Sequence, residues 1–195
     1  IYNFNILRRS INSNKSFWKT ASDTEVVLEA ITKYGFIEAI KKLNGMFAIA
    51  AYCFSKKTLW LARDKFGEKP LYYTYNDKEG LSFSSEINPF FLLPTIKKQI
   101  SSEAFSQYMR YGYVPDPLAI LKGVFKLKAG SILKFDKKKS IKEIKYWSSF
   151  ETYHMARENK FKGSLNEAKE ELKYKIDVSV KNRLVSDVPL GLFLS

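Results

Sequence analysis

The sequence predicts an α+β domain followed by the first helix and strand of an α/β domain. Three observations carry this. Apolar residues switch between helical and strand periods up to residue 147, the stretch 148–163 is polar and aperiodic, and a long amphipathic run then leads into the apolar segment Val188–Leu194.

The elements follow in order. Residues 1–9 suggest a short helix or helical turn with Ile1, Phe4 and Leu7 or Ile6 on one side, and Ser16–Thr20 a short strand. SDTE, Ser22 to Glu25, has the form of a capping box. Val26, Val27, Ala30 and Ile31 continue the helix, which Gly35 ends as its left-handed C′ residue. A second helix spans Ile37–Leu43. From Met46 the period changes: MFAIAAYCF is a near-continuous apolar run of strand length, suited to a sheet covered on both faces. Thr58–Arg63, Leu71–Tyr75 and Leu81–Ser85 follow, and four consecutive strands predict an antiparallel meander. Ser102–Arg110 has helical spacing, and GSILKF with IKEIKYW reads as a second strand pair around a turn at Lys137–Lys139. The stretch 148–163 reads as a linker. SLNE, Ser164 to Glu167, is a second capping box, and Leu165, Ala168, Leu172, Ile176, Val180 and Leu184 extend an amphipathic helix from it.

Composition limits the function. With 45% apolar residues the chain has enough material for a packed core, which argues against general disorder. The net charge of +13 raises nucleic-acid binding, but the lysines are spread along the whole length and the aromatics alternate within strands as core residues do. A solvated basic surface is the expectation, with no nucleic-acid partner. No apolar run approaches the roughly 20 residues of a membrane span, so no membrane partner is expected either. The single cysteine, Cys53, favours a reducing compartment. Inside its apolar strand it reads as a buried, inert thiol. His154, the one histidine, sits in the linker without metal-ligating neighbours and reads as a surface residue.

Three places could carry chemistry. Asp23 is not needed for the cap at Ser22; taken alone it reads as an ordinary helix-start acid, with acceptance of a ligand's ammonium as the alternative. ARDKFGEKPLYY, Ala62 to Tyr73, ends an apolar strand in Arg63-Asp64 before a Gly-containing turn and Lys69-Pro70. SDVPLGLFLS, Ser186 to Ser195, is a strand-like run ending in Ser, where anion-binding loops are built.

SDTEVVLEAI, LNGMFAIAAYCFSKKTLWLARDKFGEKPLYY, FSSEI, YMRYGYVPDPLAILKGVFKLKAGSILKF and RLVSDVPLGLFLS occur in that order. Together they resemble the glutamine-dependent asparagine synthetases of the bacterial type. The resemblance implies the fold class: a partial α+β N-terminal-nucleophile glutaminase (class II glutamine amidotransferase) domain at 1–147, a linker at 148–163, and the start of an α/β ATP-pyrophosphatase synthetase domain at 164–195. It implies an internal fragment of a cytoplasmic ligase that uses glutamine, aspartate and Mg-ATP, with homodimerisation of the parent enzyme. Asp23 matches the family's glutamine-binding Asp. Phe193, Leu194 and Ser195 match the strand end at the ATP site, with Phe193 where relatives often carry Leu. Arg63, Asp64, Lys69 and Glu86 match patterned segments read as structural or domain-interface residues. The family's nucleophilic Cys has no counterpart in this chain, so no catalytic residue is assigned and the fragment alone is expected to be inactive. Related enzymes that amidate sugar uronic acids or close β-lactam rings keep the same architecture.

Overall fold

A computed structural model describes residues 1–78, 80–136, 138–185 and 188–193. The chain divides into two compact units, Ile1 with Asn3–Ser148, and Tyr2 with Ser149–Ser195.

The first unit opens with three helices, α1 (Phe4–Ile11), α2 (Asp23–Tyr34) and α3 (Phe36–Lys42). Four strands form one antiparallel sheet in the order β1 (Ala48–Cys53), β2 (Thr58–Arg63), β6 (Ser131–Phe135), β7 (Ile141–Lys145). A second antiparallel sheet has the order β4 (Gly80–Ser84), β3 (Tyr72–Asn76), β5 (Phe125–Lys126). Helix α4 (Ser102–Tyr111) precedes β5 and is capped by the Ser101 hydroxyl, which accepts from the Ala104 amide.

Strand period explains the layering. On β2, Trp60 and Ala62 point to one face and Leu59 and Leu61 to the other. The first pair joins a core with Ile132 of β6 and with Leu7, Val26, Val27, Phe36, Ile40 and Leu43 from the apolar side of the helical layer. Leu59 and Leu61 join Leu71, Leu127, Leu133, Tyr73 and Leu81, which lie between the two sheets. Helices, first sheet and second sheet therefore stack as layers around β2. Ile40, Leu61, Leu127, Ile132 and Leu133 are fully buried, each worth about 2 kcal/mol of transfer free energy. A satellite core of Phe90, Ala119, Leu121 and Val124 takes in Tyr72 of β3.

Several expectations change. The four strands are not a meander: β2 takes β6 as its second neighbour, and β3 belongs to the other sheet. Coverage on both faces describes β2, whereas β1 is an edge strand with Ala50 and Tyr52 exposed. Cys53 is accordingly half-buried, bonded to the Ser55 hydroxyl at 3.4 Å, and that bond holds its thiol below the usual range. The segment expected as a strand at Ser16–Thr20 instead carries a 3₁₀ turn, Lys15–Phe17, whose entry is set by Asn14 accepting from the Ser16 amide and hydroxyl.

In the second unit, helix α5 (Ser149–Glu158) occupies most of the expected linker, with His154 exposed on it between Phe150 and Tyr153. Helix α6 (Leu165–Arg183) starts at a complete capping box: the Glu167 amide donates to the Ser164 hydroxyl, and the Ser164 amide to the Glu167 carboxylate. Its apolar stripe of Leu165, Leu172, Ile176 and Val180 is exposed. The expected strand at Val188–Leu194 is not formed over the described residues 188–193, and Leu194 lies outside them. A parallel strand needs neighbours to bond, and no strand of this unit supplies them among the described residues.

Gly130 is the tightest point of the first unit. It sits at φ +64 just before β6, its amide donating to the Asp64 carbonyl at 2.8 Å. A Cβ there would lie 2.4 Å from the Trp147 carbonyl oxygen, a backbone atom that cannot swing away. Gly130→Ala is expected to cost about 3 kcal/mol, combining backbone strain with that clash, read as a lower urea midpoint at unchanged slope.

Candidate functional site

Asp23 is the first residue of α2. The cap belongs to Ser22, whose hydroxyl accepts from the Thr24 amide at 3.1 Å, so the Asp23 carboxylate is free for other work. It accepts from the α-ammonium of Ile1 at 2.6 Å. The side chain keeps 42% of its exposure, and its position at a helix N-terminus favours negative charge there.

The capping box expected at Ser22–Glu25 is not formed: Ser22 caps the helix through the Thr24 amide rather than that of Glu25. Instead of returning to the Ser22 amide, the Glu25 carboxylate accepts from the Lys19 and Thr20 amides, both at 2.8 Å, and from the Thr20 hydroxyl at 2.7 Å. Arg8 of α1 completes the anchor by donating to the Thr20 carbonyl at 2.9 Å and the Ser22 carbonyl at 3.2 Å, with its guanidinium over the Trp18 ring. The loop that delivers Asp23 is thus held by an acid and a base from two helices. Sequence reasoning missed both, because Glu25 fits a cap and Arg8 shows no local pattern.

Asp23 opens into a cavity of about 710 Å³. One wall is α2, through Thr24, Val27, Leu28 and Ile31, and the facing wall is β1 with its approach, Met46 to Ala51. Lys69 and Pro70 from the loop after β2, together with Ser85, complete it. The lining is mostly aliphatic, with Asp23 as its carboxylate and Lys69 as its cationic side chain. Cys53 is not among the lining residues.

The Arg63-Asp64 dipeptide lies behind the Lys69 wall. Asp64 is fully buried. Its carboxylate accepts from the amides of Phe66 at 3.1 Å, Glu68 and Lys69 at 2.9 Å each, and Phe47 at 3.3 Å. Arg63 donates to the carbonyls of Lys69 at 2.9 Å, Gly67 at 2.8 Å and Leu127 at 2.7 Å, and to the Asp116 carboxylate at 2.7 Å. Lys126 joins this group through Asp116 at 3.9 Å and the Val114 carbonyl. Burial pushes the Lys126 ammonium down, with Asp116 opposing. Tyr146 donates to the Arg63 carbonyl at 3.0 Å, and burial, then the charge of Asp64, pushes its phenol well up. The structural reading of Arg63 and Asp64 therefore has a concrete content. Glu86 is exposed, its amide donating to the Ser84 hydroxyl at 3.1 Å.

Of the residues expected at the ATP site, Phe193 is fully exposed, and Leu194 and Ser195 lie outside the described residues. Among the described residues no group of three His, Cys, Asp or Glu is placed to hold a metal ion, and no helix is long and apolar enough to cross a membrane.

Two antiparallel sheets stack under helices and a carboxylate faces a mostly aliphatic cavity; comparison with known proteins names the domain family. The chain belongs to the glutamine amidotransferase domain family, whose model matches residues 1–147. It is 35% identical to a putative glutamine-hydrolyzing asparagine synthetase 2 of Methanocaldococcus jannaschii over 198 residues, and 35% identical to the glutamine-hydrolyzing asparagine synthetase 1 of Bacillus subtilis over 196. Both matches cover 100% of this chain but only 36% and 29% of the relatives, so the chain spans about a third of their length. In fold it is similar to glutamine phosphoribosylpyrophosphate amidotransferase of B. subtilis, with a TM-score of 0.50 at 16% identity, covering 76% of this chain and 28% of that one.

The anchor of Asp23 gives a pH prediction. The Lys19 amide first, then the Thr20 hydroxyl, hold the Glu25 carboxyl below its ordinary 4.5. A group lowered on folding stabilises fully above its unfolded value and loses that contribution as pH falls through the lowered native value. Thermal melts between about pH 3 and 6 should show this acid-side loss, and Glu25→Gln should flatten it.

Proposed function

We propose that this chain carries the glutamine-binding part of a glutamine-hydrolysing asparagine synthetase. The observation that carries the proposal is Asp23: a carboxylate at the start of α2, not used in the cap and facing the cavity. The α-ammonium of an amino acid is a group that such a carboxylate can accept. The relatives' names supply the reaction, and the aliphatic walls suit the uncharged side chain of glutamine.

In this reading Asp23 binds the α-ammonium of glutamine and orients the amide for hydrolysis to glutamate and ammonia. Ammonia then displaces AMP from an aspartyl-adenylate to give asparagine. Adenylation is needed because a carboxylate oxygen is a poor leaving group; Mg-ATP supplies the AMP moiety and releases pyrophosphate. Residues 164–195 would open the ATP-pyrophosphatase domain, with Phe193, Leu194 and Ser195 toward the nucleotide. Cys53 does not line the cavity and is not assigned as its nucleophile.

The test is isotopic. The intact enzyme, given glutamine labelled with ¹⁵N in its amide, aspartate and Mg-ATP, is expected to place the label in the amide of asparagine. Label in free ammonia alone, or in the amide of another carboxylic acid with aspartate untouched, would refute the proposal. Asp23→Ala should raise the glutamine KM by about a hundredfold, the loss of one charge-assisted contact, while leaving synthesis from added ammonia in place.

A further inference from the structure

The Arg63-Asp64 pair does more than satisfy buried charge. One carboxylate oxygen of Asp64, Oδ2, accepts from both the Phe47 amide and the Lys69 amide. Phe47 belongs to the approach to β1 on one wall of the cavity, and Lys69 to the loop that completes it. A single buried atom therefore ties the two walls together. The Lys69 peptide is gripped from both ends, its N–H by Asp64 and its carbonyl by Arg63 Nε. The loop between has no slack: Gly67 sits at φ +67, and a Cβ there would come 2.9 Å from the Arg63 guanidinium.

We infer that Arg63 and Asp64 are positioning residues for glutamine binding, setting the width of the cavity between β1 and the Lys69-Pro70 loop. The inference rests on the reading of the cavity as the glutamine site. Neither side chain lines the cavity, so neither acts by touching substrate. Each acts on the placement of backbone that does. Asparagine at position 64 keeps the shape but turns one oxygen into a donor. If that donor replaces Oδ2 it faces two amide N–H groups, and the tie between the walls is lost.

The experiment is steady-state kinetics of the intact enzyme carrying Asp64→Asn or Arg63→Lys, with Asp23→Ala alongside. Synthesis from added ammonia reports whether the rest of the enzyme is folded. Arg63→Lys is the milder change, keeping the cation for Asp116 and losing the fork. The expected result is a glutamine KM raised about tenfold for Asp64→Asn and less for Arg63→Lys, with kcat held within about twofold. Wild-type KM in both variants, with only a lower melting temperature, would overturn the inference. So would a parallel fall of the glutamine and ammonia rates, which reports general damage. A raised KM in Asp23→Ala with none in the position 63 and 64 variants rejects the positioning role alone. An unchanged KM in Asp23→Ala rejects the cavity assignment and this inference with it.

Discussion

A buried carboxylate whose oxygens are held by backbone amides governs the first unit. Asp64 is surrounded by backbone, and its charge is met by the amides of Phe47, Phe66, Glu68 and Lys69. Burying an ionised group without such partners would cost several kcal/mol, so the loop after β2 must close around it in this conformation. Its backbone is equally committed: the Asp64 amide donates to the Phe47 carbonyl and its carbonyl accepts from Gly130. The end of β2, the start of β1 and the entry to β6 thus meet at one residue. Arg63 performs the inverse task on the same loop, collecting carbonyls where Asp64 collects amides. Acid and base do not bond to each other through their side chains; together they saturate a turn of backbone that would otherwise be buried unpaired.

This arrangement explains where the sequence was legible and where it was not. Helix α2 could be read because its information is local: Ser22 caps it, and Val26, Val27 and Ala30 repeat on one side. Strands β2, β6 and β7 could be read as short apolar and β-branched runs bounded by turn residues. The pairing of β2 with β6 could not, since Leu61 and Leu133 are joined across some seventy residues by nothing local. That long-range pair, not β3, completes the sheet, and for this reason a run of four strands misleads as a meander. The apolar richness of Met46–Phe54 suggested a central strand, yet burial is decided by neighbours, and β1 has one.

The site divides the same way. Asp23 stood out as a helix-start acid with no capping duty, and resemblance alone turned it toward glutamine. The cavity it opens into joins α2, the approach to β1 and the loop after β2. Their meeting depends on the Asp64 closure and was invisible in any single segment. Glu25 and Arg8 were hidden for a different reason: one imitates a capping residue and the other is a lone cation on a short helix, and only the folded loop reveals both holding residues 19–22.

The central claim is that Asp23 recognises an α-ammonium inside a mostly aliphatic cavity. Its most direct test is binding of L-glutamine against 4-carbamoylbutanoate, the same molecule without the α-amino group, to the intact enzyme and to Asp23→Asn by calorimetry. The account predicts that the wild type prefers glutamine by at least about tenfold, the worth of a hydrogen bond to a charged group, and that the preference collapses in the variant. Equal affinity of the two compounds for the wild type, or a preference that survives the substitution, would contradict it.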